Sequence, residues 1–482
     1  MNKFLSGALY RPLSRNQVET IHEKALDILE RTGVGFESGL EEDLEPLEQA
    51  GADLDRASRR IRLPRKLVRQ MSERAPEQVV LRSRDGQNDL DLGEHRVHIG
   101  TGGAAIRILD LESEEARAST LEDLYWLGRL VDQLQNIHFF LRPCIPTDIP
   151  ASTYDLNVFH TCFRSTTKHV MAGVNTVEDL RDVLEMASLL AGDREELLKA
   201  PFLSIITSFM ISPLKLSTQP TKIMLEAGRN RIPVALSGAP MAGSTAPLTM
   251  AGTLVQTHAE QLAGIALSQV NTPGAPVLYG GIPSRADLRT MNFCGGAVEC
   301  GMMNGAIHQL AHHIQVPNYN SSGLTDSKIP DIQAGWEKGM TTLLGALAGS
   351  NYMHHAAGML ESMITVAYEQ YVLDDEVIGM TNRVLRGIEV DEDRLALDLI
   401  DSVGPGGEFI TSEHTFEHMY SEYYPGNGIT DRNDRDTWSA LGGLDARQRA
   451  KAKVKELLQD GKKSYIPEET EQKIRQRFDT LF

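Results

Sequence analysis

Between Pro276 and Ala357 the chain repeats one pattern three times: a short apolar run closing on small or polar residues, then a long helical stretch. The runs are Pro-Val-Leu-Tyr-Gly-Gly at 276–281, Val-Pro-Asn-Tyr-Asn-Ser-Ser-Gly at 316–323 and Ser-Asn-Tyr-Met-His-His-Ala-Ala-Gly at 350–358. Buried strands that end in reactive or small residues, separated by helices, are the signature of a closed parallel barrel. In such a fold the chemistry sits where the strands end. Extending the pattern along the chain predicts strands near 136–144, 168–174, 202–209, 232–238, 276–280, 316–321, 351–356 and 407–411. Eight β/α units favour an α/β fold of the (β/α)8 TIM barrel type over an open sheet. The remainder reads as an N-terminal helical layer with a small β region (1–112), the catalytic barrel (113–430) and a charged C-terminal helical extension (431–482).

Helix punctuation supports the reading. Ser14 and Gln17 form a capping-box pattern ahead of the stripe Val18, Ile21, Ala25, Ile28 and Leu29, and Gly33 is a natural stop. Thr120 and Thr176 each precede Leu/Val-Glu-Asp, an N-cap followed by acids that suit the positive helix end. Gly100-Thr-Gly-Gly lacks the Lys of a phosphate-binding loop and reads equally as a glycine turn beneath a ligand or backbone.

A chain of 482 residues, 41% of them hydrophobic, is long enough for a barrel plus additions. A formal charge of −18 argues against nucleic acid and anionic lipid as partners. Four scattered cysteines, Cys144, Cys162, Cys294 and Cys300, do not make a disulfide framework. With no secretory signal or apolar run long enough to span a bilayer, the expected setting is cytoplasmic.

Several polar groups invite chemistry. His308 and His312 share a helical face, but Gln309 stands where a metalloprotease has its base, so packing is favoured. Cys294 and Cys300 are better read as core thiols than as zinc ligands. Glu413, His414, Glu417 and His418 also suggest a metal, with solvated side chains the favoured reading. No metal is therefore expected. His354 and His355 end a strand, where only one of two neighbours faces the barrel interior. Asp326 and Lys328 follow another strand and serve function, or the segment is a helix cap through Ser327 or Asp326. Tyr279, Tyr319, Tyr352 and Phe409 offer aromatic faces of the kind that hold quaternary ammonium.

Taken in order, these pieces resemble the trimethylamine methyltransferase (MttB) superfamily, in its branch without pyrrolysine. The likeness rests on Leu13-Ser-Arg-Asn-Gln-Val, Gly100-Thr-Gly-Gly with Leu109-Asp-Leu-Glu, Thr166-Thr-Lys and Ser212-Pro-Leu. It continues in Gly323-Leu-Thr-Asp-Ser-Lys, Asp331-Ile-Gln-Ala-Gly-Trp-Glu-Lys, His355-Ala-Ala-Gly, and Val403-Gly-Pro-Gly-Gly with Glu413-His-Thr-Phe-Glu-His. It implies a methyltransferase that moves a methyl group from a methylated amine to cob(I)alamin carried by a separate corrinoid protein. The chain has only standard residues, which points away from tertiary amines and toward quaternary ones. Glycine betaine is the first choice, releasing dimethylglycine, with proline betaine and carnitine as alternatives. On this reading Tyr279 or Tyr319 meets the ammonium, His355 the carboxylate, and His354 lies beside them. Asp326 and Lys328 sit at the mouth near the corrinoid, with Gly102 and Gly103 also on the cofactor side. A homo-oligomer is compatible with the class. Competing readings are a zinc-dependent methyltransferase, a non-catalytic amine-binding barrel, and a Schiff-base enzyme using Lys168 or Lys328.

Overall fold

The computed structural model describes residues 5–482. Its centre is one eight-stranded parallel sheet. In chain order the strands are β1 (His98–Ile99), β2 (Phe140–Leu141), β3 (Val170–Ala172), β4 (Leu203–Thr207), β5 (Val234–Leu236), β6 (Val277–Gly280), β7 (Asn318–Ser321) and β8 (Tyr352–His354). The spatial order is β1-β8-β7-β6-β5-β4-β3-β2, with every pair parallel. The sheet curls on itself: the amide of His138, just before β2, donates to Ile99 O of β1 at 2.8 Å. The fold is thus an α/β barrel of the TIM type, as expected.

Seven of the eight predicted strands coincide with β2–β8. The eighth does not. Residues 407–411 are exposed and form no strand, and the missing position is filled by His98–Ile99 from the N-terminal region. Two buried residues carry almost no periodic signal, whereas Gly-Glu-Phe-Ile-Thr mimics a strand end.

Strand alternation sorts the core into two layers. Outward residues such as Phe140, Val170, Val234 and Tyr279 pack against the surrounding helices. Inward ones, Leu141, Met171, Ala235, Leu278, Tyr319 and Tyr352, fill the barrel. They are joined by Val79, Leu81, Leu90 and Leu92 of an antiparallel hairpin, Val79–Leu81 with Leu90–Leu92. That hairpin is fixed below the strand starts: Arg84 N donates to Thr167 O and Arg82 N to Pro201 O. It seals the lower end of the barrel. The predicted caps are present at Ser14, Thr120 and Thr176. The helix Ile332–Ala348, however, is capped by Asp331, not by Asp326 or Ser327. Among the described residues, no helix is long and apolar enough to cross a membrane.

Candidate active site

The upper end, where the strands finish, holds a cavity of about 460 Å³. Its wall comes from the ends of six strands: Leu141 and Arg142, Ala172 and Gly173, Ile206, Ser237, Ile282 beyond β6, and His354 with His355. Gly103 and the turn Ser362–Ile364 complete it. A second hollow of about 520 Å³ lies at the opposite end of the molecule, lined by Glu19, Glu23, Glu73 and Glu77 with His22 and His313. No strand end reaches it, and the parallel-barrel rule places chemistry at the other face.

Both histidines of the Tyr-Met-His-His run line the cavity, against the expectation that only one would. The strand stops at His354, and His355 adopts φ +66°. This left-handed turn breaks the alternation and swings the second imidazole to the same side. The space is made by glycine. A Cβ at Gly102 would lie 3.1 Å from His354 Cβ, and one at Gly103 would lie 2.4 Å from Met359 Cε. Both glycines hold φ above +120°. Their role visible here is close backbone approach to the histidine pair.

His355 Nδ1 pairs with Ser321 Oγ at 2.7 Å, leaving Nε2 for the cavity. Burial, aided by the Lys338 charge, pushes its pKa down to about 3. His354 is 1% exposed, and neither ring nitrogen has a hydrogen-bond partner among the described residues. Burial, then His355, holds it well below the ordinary imidazole range. Both rings are therefore neutral at pH 7. A buried polar group without a partner costs about 1–3 kcal/mol, and such a group in a cavity wall marks a place where a ligand supplies the bond. Tyr319 stands edge-on beneath His354 at 4.9 Å between ring centroids.

Arg142 was not singled out from the sequence. It follows β2 directly, and its Nε is buried without a partner. It makes no ion pair among the described residues. The cavity wall contains no carboxylate, and the acid that feels the Arg142 charge is Asp155, outside that wall. The signal available in sequence was position alone: the first charged residue after a predicted strand.

The other candidates fall elsewhere. Tyr279 faces outward, and its hydroxyl bonds His258 Nδ1 at 2.8 Å in the helix Met250–Asn271, so it does not line the cavity. Asp326 accepts from Gly296 N at 3.1 Å and from the Ser362 hydroxyl. It thereby anchors the turn Glu361-Ser362-Met363, three consecutive non-glycine residues at φ +51°, +51° and +79°. Lys328 is exposed and donates to the Asp326 carbonyl at 2.8 Å. Lys168 gives its ammonium to the carbonyls of Val131, Leu134 and Ile137, at the lower end, which removes it as a Schiff-base candidate. His308 uses both nitrogens, toward His95 and Asn318. Cys300 is buried, while Cys294 is half-exposed rather than core.

Behind the histidines, Lys338 and Asp374 form a wholly buried ion pair at 3.2 Å. Burial lowers the pKa of the lysine and raises that of the aspartate, so each charge depends on the other. Lys338 also donates to Gly323 O and Met359 O, and Asp374 accepts from Gly358 N. The pair thus ties the C-terminal end of the loop that carries His355 to the loop after β7.

A parallel barrel with a mostly apolar cavity at its strand ends defines an enzyme that works on a small molecule. Comparison with known proteins gives the family. Residues 5–480 match the model of the trimethylamine methyltransferase (MTTB) family, and the chain belongs to it and is a methyltransferase. It is 36% identical to trimethylamine methyltransferase MttB of Desulfitobacterium hafniense strain DCB-2, over 96% of this chain and 91% of that protein. It is 33% identical to glycine betaine methyltransferase of Desulfitobacterium hafniense strain Y51, over 95% and 93%. Among solved structures, the monomethylamine methyltransferase MtmB of Methanosarcina barkeri superposes with a TM-score of 0.55 over 93% of this chain and 88% of that one. At 12% identity this likeness bears on the fold alone.

Proposed function

We infer that this methyltransferase takes a methyl group from a quaternary amine bearing a carboxylate, glycine betaine foremost, and passes it to cob(I)alamin on a separate corrinoid protein. The observation that carries the reading is Arg142 in the cavity wall, its Nε without a hydrogen-bond partner and its charge in no ion pair among the described residues. Trimethylamine offers it nothing. A betaine offers a carboxylate, and an arginine fork binds carboxylate with two parallel hydrogen bonds. With Nδ1 accepting from the Ser321 hydroxyl, His355 Nε2–H adds a donor on the same wall, the role expected for His355. The trimethylammonium head then lies against Leu141, Ile206 and Ile282 and the neutral faces of His354 and His355, with Tyr319 below. Neutral imidazoles matter here, because a second fixed positive charge repels the head.

The quaternary nitrogen already carries its charge, so dimethylglycine leaves as a neutral amine without an acid. What remains for the protein is alignment and exclusion of water. The cavity is too small for a corrinoid ring, so the acceptor has to approach from outside. Exposed apolar residues suit that: Ile364 lines the cavity, and Ile106, Leu248, Leu288 and Met291 lie on segments that follow strands β1, β5 and β6. Cobalamin supplies the nucleophile, and the chain's own residues hold the methyl donor in line with it.

The test is an anaerobic spectroscopic assay of cobalamin methylation with betaine, trimethylamine, proline betaine, carnitine and tetramethylammonium. Betaine is the expected donor. Arg142→Ala should raise the KM for betaine about 10–100-fold, the worth of a charged hydrogen-bond pair, and leave any turnover of tetramethylammonium unchanged. Unchanged betaine kinetics in that variant, or turnover of trimethylamine but not betaine, refutes the reading. His355→Ala with unaltered betaine affinity removes His355 from the carboxylate site.

A further inference from the structure

Residues 387–422 leave the barrel after the helix Tyr368–Arg386 and return at Tyr424, whose ring packs on Gly379. The excursion forms three short helices, Glu392–Leu395, Leu397–Val403 and Glu413–Glu422, and none of them buries a residue. Ile388, Val390, Leu397, Ile410, Phe416 and Tyr420 all stay in solvent. Fixing a backbone costs about 1–2 kcal/mol per residue, and here no core offsets it. Small elements without a core are commonly held by a metal or a cross-link.

Part of the restraint is visible. Arg394 pairs with Glu389, Asp391 and Glu422, drawing three carboxylates together. Its neighbour Asp393 has no lysine or arginine partner among the described residues. Two imidazoles turn to it instead. His414 and His418 lie one turn apart on the third helix. Nε2 of His414 stands 3.2 Å from the Asp393 carbonyl oxygen, and Nε2 of His418 stands 3.0 Å from its carboxylate. One ligating atom from each of Asp393, His414 and His418 lies within 4.8 Å of the others.

The geometry points to a transition-metal site formed by Asp393, His414 and His418, taking Zn²⁺ as a clip between the first and third helices of the excursion. Two imidazole nitrogens and one carboxylate oxygen, without thiolate, are a borderline donor set that zinc accepts, and i, i+4 spacing places both rings on one helix face. A tetrahedral ion with bonds of about 2.0–2.2 Å sets its ligands about 3.3–3.5 Å apart. The Asp393 carboxylate, 68% exposed, is free to swing that far. The fourth position falls to water. Such a clip closes the loop that contains Gly404 and Gly406, both at positive φ, and so removes the freest part of the excursion from the entropy cost. This replaces the expectation of solvated side chains for His414 and His418. Glu413 and Glu417 are not needed.

The experiment uses the full-length, untagged protein, stripped with chelator and titrated with zinc chloride in a calorimeter, with Co²⁺ as a spectroscopic probe. One zinc ion per chain is expected, with cobalt bands free of thiolate charge transfer. Affinity should fall by more than about tenfold in Asp393→Asn, His414→Ala and His418→Ala, and stay unchanged in Cys294→Ser. Amide exchange across 390–422 should slow on adding zinc. All three positions are at the surface, so circular dichroism will show the variants folded. No zinc uptake by the wild-type chain at micromolar metal, or uptake that survives the His414→Ala/His418→Ala double variant, overturns the proposal.

Discussion

Lowering the pH tests whether the buried histidines are neutral. Burial is the first cause of the low pKa in six of them: about 4 for His22, His98 and His169, and about 3 for His138, His308 and His355. Their hydrogen bonds show how the neutral form is used; His169, for one, joins the Arg82 carbonyl to the Ser204 hydroxyl, 2.8 Å on each side. Unfolded, each returns to about 6.5. Below that value the unfolded chain binds protons that the folded chain refuses. Stability is therefore complete above about pH 6.5 and is lost as the pH falls toward 4. At about pH 5.5 each histidine costs somewhat over 1 kcal/mol, and six cost roughly 8 kcal/mol. Buried acids act in the opposite sense. Asp155, raised to about 6 mainly by burial, takes up a proton in the folded state first, and Glu260, Asp374 and Asp375 are raised in the same direction. Asp155 returns about 1 kcal/mol at pH 5.5, so the six histidines and Asp155 together lose roughly 7 kcal/mol. For 482 residues the unfolding entropy near the midpoint is about 1 kcal/mol per degree, so these groups should lower the melting temperature by about 7 °C between about pH 7.5 and 5.5, less what the other buried acids return. Calorimetry at fixed ionic strength measures it. A midpoint that is flat or rises over that range refutes the argument, because it means these imidazoles are charged or reachable by water in the folded chain.

Replacing Lys338 with Met strands Asp374 in the core and should cost about 3–5 kcal/mol in a denaturant titration, while Lys338→Met/Asp374→Leu recovers most of it. Tyr279→Phe should lose about 1–2 kcal/mol through the orphaned His258 and leave substrate KM unchanged; a large KM effect would return Tyr279 to the site. Gly280→Ala places a methyl group 1.6 Å from the Tyr319 ring, so a loss of about 3 kcal/mol is expected, and wild-type stability would show that the ring is not packed there.

What the sequence disclosed followed from how each feature is encoded. Strand ends β6–β8 were legible because a run of apolar residues stops abruptly at glycine, serine or histidine, and caps at Ser14, Thr120 and Thr176 because capping chemistry is local. His98–Ile99 was hidden, since a two-residue strand has no period. The histidine pair was found, but its geometry was not, because a single left-handed φ at His355 reverses the rule of alternation. Tyr279 was misjudged for a related reason: whether an aromatic residue in a fully buried strand faces inward or outward depends on register, and both faces are apolar. Arg142 was missed because its place in the cavity wall, with Nε lacking a partner, depends on what surrounds it in three dimensions.

The hairpin beneath the barrel has a kinetic consequence. With Leu81, Leu90 and Leu92 filling the lower end, the described residues leave the upper mouth as the door, and in the proposed reaction amine, product and methyl acceptor all share it. A protein that covers the mouth must arrive after the amine has entered and depart before the demethylated product escapes. Turnover is then strictly queued: excess of the covering protein should slow the enzyme by shutting the door on an empty room.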